Sequence, residues 1–443
     1  MKSHFYSLFP IISKIKKLKI LLIHYRYHSL SGPERYLFNL KALLESKGHT
    51  VIPFSINYVQ NEKTEYDKYF VEPLGDKSVF NYNKQKDIGI VDKYLIAKNF
   101  IYNQDVYQQL SKLIRNEKPE IAYILQYFGK LTHAVFDSCK DHNIPTVLRL
   151  SDYGLICAKN IFFRNGQICT ECIDCQWNGV KHKCIHNSYS KSILNFFALK
   201  YAYYKGLTLK IDSIVTPSIF MKNLISKTRY FGNNNIVHIP TFFLSEDRTN
   251  RKKLKLELEN DFSYIGRIDE DKGLTILIQA VKQLRRMGHT PLLSIAGNIN
   301  NEYARKLIDE CINDNLENVS FVGLLDKNSI FKFVSNSKFS IVPSIWYDNM
   351  PNSLIESQSC GTPIIASNIG SLSELVIDGY NGYLFNPGDS NDLCNIMIKA
   401  MNLNDSQLMI LKSNSLDWVS SYCSEEKHYS SLMTLFNNLI TEK

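Results

Sequence analysis

Twice along the chain a run of short apolar segments alternates with helical patterns, and this repetition restricts the fold more than any other feature. The first series comprises KILLIHY (Lys19 to Tyr25), HTVIPFSI, IAYILQ, TVLRL and SIVTPS; the second comprises DFSYIGR, LLSIAG, VSFVG, FSIVPS and TPIIAS. Segments this short and this continuously apolar read as strands buried on both faces, which calls for parallel pairing with helices above and below the sheet. The expected fold is α/β, with two Rossmann-like, doubly wound domains facing an interdomain cleft. A chain of 443 residues, 44% of them apolar, is long enough for two cores of the usual size of roughly 150 to 200 residues. The polar, lysine-rich stretch after VHIPTFF, within 236–260, marks the boundary. The expected division is an amino-terminal domain over 1–240, a carboxy-terminal domain over 241–417, and a terminal helix over 418–443 packing back on the first domain. Ligands of such sheets sit beyond the carboxyl ends of the strands, so the facing cleft is the expected site.

The loops after the strands carry the candidate chemistry. KILLIHY runs into Ser29, Leu30, Ser31, Gly32 and Pro33 and then a helical pattern from Glu34 to Leu44. In FSYIGRIDEDKGLTILIQA the strand ends at Gly266, Arg267 follows, and a helix begins around Asp271 or Lys272, with Gly273 allowing close backbone approach. A planar guanidinium and a mobile ammonium beside a helix amino terminus suit a diphosphate; taken alone, the same pair reads as surface charge. In IVPSIWYDNMPNSLIESQSCGTPIIAS, Asp348 and Glu356 have seven residues between them, and Pro351 prevents them from sharing a helix face. A carboxylate here can accept two vicinal hydroxyls while the amides from Met350 to Ser353 face a phosphate or sugar. The alternative is a capping box between Ser353 and Glu356, with Cys360 and Gly361 as a plain helix end.

The formal charge of +9 favours phosphate-rich small molecules, anionic lipid or nucleic acid as partners. No clustered platform of basic and aromatic residues supports the last, and nucleic acid is not expected. No apolar run is long enough to span a bilayer, and the first nineteen residues lack an export pattern, so a cytoplasmic protein is expected. The leader mixes Phe5, Tyr6, Leu8, Phe9, Ile11 and Ile12 with Lys14, Lys16, Lys17 and Lys19; it reads either as a peripheral contact with an anionic membrane or as a frayed or packed leader.

Five of the ten cysteines fall between Cys157 and Cys184, in an insertion over 157–184. Cys169 and Cys172 have metal-ligand spacing, and Cys157 with either Cys175 or Cys184 completes a tetrahedral thiolate set for structural zinc. His182 and His186 are further candidates. Reduced packing cysteines and redox chemistry are the competing readings.

Arg267, Lys272, Asp348, Glu356 and the CGTPIIA turn together resemble the carboxy-terminal domain of the retaining glycosyltransferase family 4, whose two Rossmann-like domains form the GT-B arrangement. GSLSELVIDGYNGYLFNPGD resembles the segment that follows in that family, and SGPERYLFNLKALLESKGH its first loop and helix, so the resemblance covers nearly the whole chain. It implies that Arg267 and Lys272 bind the donor diphosphate and stabilise it as it leaves, that Glu356 holds the ribose, and that Asp348 stands where a glutamate faces the donor sugar. It also places Gly32 and Gly266 beside the diphosphate, Asn352 and Ser353 among the binding amides, and the amides after Gly323 near the nucleobase. Ser151 falls where the family often has a histidine, which makes Asp152 or Arg149 candidates for that part of the pocket, with turn formation the alternative for Asp152. The same resemblance selects Cys157, Cys169, Cys172 and Cys184 as the recurring cysteines.

The activity it implies is retaining transfer without a catalytic metal. The donor is a nucleotide sugar, a UDP-sugar rather than a GDP-sugar, and the acceptor a glycan or lipid-linked saccharide of bacterial surface polysaccharide, capsule or lipopolysaccharide. A soluble acceptor is the alternative, and a degenerate nucleotide-binding scaffold is the alternative to an enzyme.

Overall fold

A computed structural model of the chain describes residues 16–28, 32–73, 89–244 and 258–443. The leader from Phe5 to Lys14, and Ser29, Leu30 and Ser31 of the first loop, lie outside the described residues.

The first domain holds β1 (Lys19–His24), β2 (Thr50–Phe54), β3 (Ile121–Gln126) and β4 (Thr146–Arg149), then a small antiparallel hairpin of β5 (Phe163–Arg164) and β6 (Gln167–Ile168), then β7 (Ser213–Thr216) and β8 (Ile236–His238). Six of these make one parallel sheet in the order β2-β1-β3-β4-β7-β8. The second domain holds β9 (Asn260–Ile265), β10 (Leu293–Ala296), β11 (Val319–Gly323), β12 (Ser337–Val342), β13 (Ile364–Ser367) and β14 (Gly382–Phe385), a second parallel sheet in the order β11-β10-β9-β12-β13-β14. Apart from its first residue β1 is buried along its length, and alternate side chains feed opposite layers. Ile20 and Leu22 pack with Leu37, Leu40 and Leu44 of the helix Gly32–Ser46, whereas Leu21 and Ile23 pack with Leu110, Leu113 and Ile114 of the helix Gln104–Glu117. This two-faced burial is the physical reason the segment reads as continuously apolar.

The two strand orders place the site. β1 lies between β2 and β3, and β9 between β10 and β12. At such a reversal the loops leaving neighbouring strands diverge to opposite faces and open a crevice. The loop after β1 leads to Gly32, the loop after β9 carries Arg267 to Lys272, and the loop after β12 carries Asp348.

Four strands have no counterpart in the expected series: β8, β14 and the two of the β5–β6 hairpin are only two to four residues long, too short to register as apolar runs. The terminal helix begins later than 418. Trp418 and Val419 still pack on the second domain within the helix Asp405–Tyr422, and only after a break at Cys423 and Ser424 does the helix Glu425–Thr441 lay Tyr429, Leu432, Phe436 and Leu439 on the first domain. His428 anchors that return: its Nδ1 lies 2.7 Å from the Pro240 carbonyl and its Nε2 3.0 Å from the Tyr36 hydroxyl. Burial pushes its pKa down to about 3, so the crossing is held by a neutral imidazole.

Candidate active site

The helix Asn352–Ser359 begins at Pro351, whose fixed φ and absent N–H suit a helix start, and no side chain caps it. The capping box between Ser353 and Glu356 is therefore not formed. Glu356 instead makes an ion pair with Arg35 of the first domain, so it is presented across the cleft. Asp348 is buried, receives the Lys272 ammonium, and accepts hydrogen bonds from the Ser344 hydroxyl at 3.3 Å and the Asn349 amide at 3.0 Å. Its loop is fixed by a residue that the sequence reading did not single out. Ser371 donates to the Asp348 carbonyl at 2.5 Å and accepts from the Met350 amide at 3.1 Å, which holds Met350 at a φ of 53°.

Arg267 bonds to Asp269 and, at 2.7 Å, to Asp271. Burial works against its charge, but the carboxylates of Asp271 and Asp269 outweigh that cost and raise its pKa. A short turn over Glu270–Lys272 precedes the helix Leu274–Arg286, so Gly273 stands at the junction with a φ of 70° rather than inside the helix. A Cβ at Gly273 would sit 1.8 Å from the Pro343 carbonyl oxygen. The absence of a side chain there is what lets the Lys272 loop lie directly on the start of the Asp348 loop.

These groups share one cleft of about 840 Å³, lined among others by Gly32, Arg35, Arg149, Ser151, Gly266, Arg267, Lys272, Leu324, Trp346, Asp348, Asn352, Ser353 and Glu356. Gly32 approaches the second domain closely, since a Cβ there would lie 3.1 Å from Asn352 Nδ2. Gly323 ends β11 at a φ of 78°, and the next two residues, Leu324 and Leu325, line the cleft in its place. Asp152 does not line it. The Asp152 carboxylate accepts the Gly154 amide at 2.8 Å, closing a turn, and burial raises its pKa against the pull of that amide.

Arg149, in contrast, is buried and lines the cleft, bonded to Ser151 Oγ at 3.0 Å and Thr241 Oγ1 at 2.8 Å. Its guanidinium carbon lies 3.8 Å from the centre of the Tyr36 ring, and among the described residues its Nε has no partner. Asn349 joins the two domains beside it, accepting from Ser218 Oγ at 3.0 Å and donating to the Ser151 carbonyl at 3.4 Å. Neither the Arg35–Glu356 pair nor the Asn349 bridge has a local sequence signal, because each joins residues brought together only by the docking of the domains.

Among the described residues the cysteine lobe gives no support to the zinc expectation. Among the described residues no three His, Cys, Asp or Glu side chains are disposed to hold a metal ion. Cys169 Sγ lies 4.0 Å from Glu171 Oε1, His182 Nε2 is taken by the same carboxylate at 2.8 Å, and Cys175 is exposed. Burial, with the neighbouring thiols adding to it, raises Cys157 and Cys184 and pushes Cys172 up to about 12.

A pair of facing doubly wound domains, with two cations and two carboxylates on the strand-end loops of one of them, is the GT-B arrangement. Residues 246–415, most of the second domain, match the sequence model of the family described as glycosyl transferases group 1. Among curated proteins it is 26% identical over 234 residues to a capsular polysaccharide biosynthesis glycosyltransferase of Staphylococcus aureus (52% of this chain, 59% of that one). It is 27% identical over 218 residues to a lipopolysaccharide 1,2-N-acetylglucosaminetransferase of Salmonella typhimurium (46% and 56%). The chain thus spans a little over half the length of these relatives.

Solved structures of the same fold include a sucrose-phosphate synthase from Thermosynechococcus elongatus, with a TM-score of 0.67 at 16% identity over 96% of this chain and 100% of that one. Anabaena HepE in complex with UDP and glucose has a TM-score of 0.61 at 16% identity over 95% and 100%.

Proposed function

We propose that the protein is a retaining glycosyltransferase that moves a hexosyl unit from a nucleotide diphosphate donor to a glycan or lipid-linked saccharide in bacterial surface-polysaccharide synthesis. The observation that carries this is the gathering of Arg267, Lys272, Asp348 and Glu356 in one cleft, against Gly32 and Arg35 of the facing domain. Three of the cleft's cations rest on carboxylates: Lys272 on Asp348, Arg267 on Asp269 and Asp271, Arg35 on Glu356. An incoming diphosphate supplies better acceptors for the cations and releases Asp348 and Glu356 towards sugar and ribose hydroxyls. As the bond between the anomeric carbon and the phosphate oxygen breaks, negative charge builds on the departing diphosphate. Two fixed cations there stabilise the transition state more than the bound donor. The acceptor oxygen attacks from the face the diphosphate leaves, and its proton ends on the leaving phosphate. A UDP donor is favoured over GDP, and HepE, bound to UDP and glucose, shares the fold. The capsular and lipopolysaccharide transferases among the relatives support the acceptor class.

The test is a panel of uridine and guanosine diphosphate sugars with a lipid-linked saccharide acceptor, the product's anomeric configuration being read by NMR. Retention with at least one donor is expected. Tight nucleotide binding without turnover or donor hydrolysis across the panel would instead make the protein a scaffold. Within that assay, Asp348→Asn lowers turnover more than diphosphate affinity, and Glu356→Gln does the reverse.

A further inference from the structure

The helix Tyr189–Tyr204 is inverted relative to an ordinary surface helix. Its buried face carries Ser192, Asn195, Ala198, Leu199 and Ala202, while Tyr189 is 54% exposed, Phe197 54% and Tyr204 85%. Phe197 and Tyr204 are seven residues apart and lie on one face. The surface continues through Trp177, 46% exposed and in edge contact with Phe196 at 5.0 Å, and through Leu209, 83% exposed. The helix Ile90–Ile101 packs beside it and exposes Val91, Tyr94 and Leu95, three positions of one helical face. Exposed apolar groups clustered in this way mark an interaction surface.

Charge identifies what the surface meets. Residues 177–210 contain six lysines and seven aromatics with no Asp or Glu. The platform of basic and aromatic residues that the linear reading did not find is thus assembled here, once the fold shows which side chains face outward. Lys183, Lys200 and Lys205 lie over the rings of Tyr189, Phe196 and Tyr201, at 4.5, 5.5 and 5.7 Å, and among the described residues none of the three makes an ion pair. Protein interfaces are enriched in aromatics but depleted in lysine, whereas aromatics interleaved with lysines suit the headgroup layer of an anionic bilayer. Among the described residues no helix is long and apolar enough to cross a membrane, so the contact lies along the surface.

We propose that this face of the first domain, from Trp177 to Leu209, is a docking surface for an anionic membrane, independent of the leader. The inference rests on the proposed function only for its purpose, which is to bring the cleft to a lipid-linked acceptor; its failure would leave the donor assays untouched. The β5–β6 hairpin of the same lobe comes near the donor loop: a Cβ placed at Gly166 would lie 3.7 Å from Glu270 Oε1.

The experiment is flotation of the full chain, and of a version starting at Lys19, with vesicles of phosphatidylcholine alone or with phosphatidylglycerol at low salt. Both versions are expected to float with the anionic vesicles only, and replacing Lys191 or Lys205 by Glu is expected to lower partitioning at least fivefold for each lysine charge lost. Phe197→Ser with Tyr204→Ser should abolish flotation while leaving donor hydrolysis and the melting temperature unchanged, as befits exposed side chains. Trp177 fluorescence should shift to the blue on the vesicles, a change lost in Trp177→Phe. The proposal is overturned if neither version floats, or if flotation depends on the leader alone. It is equally overturned if the surface substitutions dissolve a dimer, or weaken binding to single-stranded RNA, without changing lipid binding.

Discussion

Each domain carries a six-stranded parallel sheet whose strand order reverses at its first strand, yet the two contribute to the cleft in opposite ways. The second domain supplies Arg267, Lys272 and Asp348 with their partners from its own loops, so its charges are balanced before any ligand arrives. The first domain supplies Arg35, which reaches across to Glu356, and Arg149, which among the described residues meets hydroxyls and a ring but no carboxylate. The family match, over 246–415, falls on the balanced side. A diphosphate imposes one electrostatic problem on every donor, and the second domain solves it with local pairs. The first domain must answer to whatever group stands at the other end, and its cation is left open.

The largest effect that would test this division lies on the donor side. Lys272→Ala and Arg267→Ala should each lower turnover by about 10² to 10³, because each removes a donor aimed at charge that develops only in the transition state. Steady-state rates measured alongside diphosphate affinity check it, and losses confined to folding stability would reduce the pair to a structural role.

Next is Gly273→Ala. Its left-handed backbone costs roughly 1–3 kcal/mol for a side chain, and the Cβ would press on the Pro343 carbonyl, so the melting temperature should fall several degrees and diphosphate binding should weaken with it. Calorimetry with and without nucleotide reads both.

A smaller effect separates the domains directly. Arg149→Met removes a buried cation whose neighbours are neutral, which should leave the unliganded protein about as stable as before while lowering affinity for an anionic donor by about tenfold, one lost charge-assisted bond. Unchanged donor affinity would assign the first domain to the acceptor alone.

The smallest concerns Glu374, whose carboxylate takes the amides of Ile219 at 3.0 Å and Phe220 at 3.3 Å across the domain interface. Burial raises its pKa to about 7 against the pull of those amides. Because the folded value lies above the unfolded one, its contribution is fully present below the unfolded value and is lost as pH rises through about 7. Melting curves should therefore decline between about pH 5 and 8, and Glu374→Gln should flatten that slope.

The strands were legible because burial on both faces writes a continuous apolar run, and the β1, β3 and β11 segments fall on or within a residue of IAYILQ-type readings of the chain. Arg267, Lys272, Asp348 and Glu356 were legible because they follow such strands at once, and the end of a parallel strand is where a crevice opens. What sequence spacing could not show is which carboxylate each cation holds. Local rules paired Glu356 with Ser353, and docking of the domains paired it with Arg35. The cysteines tell the same story in reverse, since their spacing suggests a metal site and the folded lobe points Cys169 at Glu171 and buries Cys157 and Cys172.

By itself, then, the sequence determined the two α/β layers and the identity of the charged groups on the strand-end loops, because burial period and turn chemistry act over a few neighbouring residues. Tertiary structure alone decided the pairings across the cleft, the isolation of Arg149, the return of the last helix through His428, and the outward turn of Phe197 and Tyr204. Each of these depends on surfaces separated by tens to hundreds of residues, whose meeting is set by packing that no local pattern encodes.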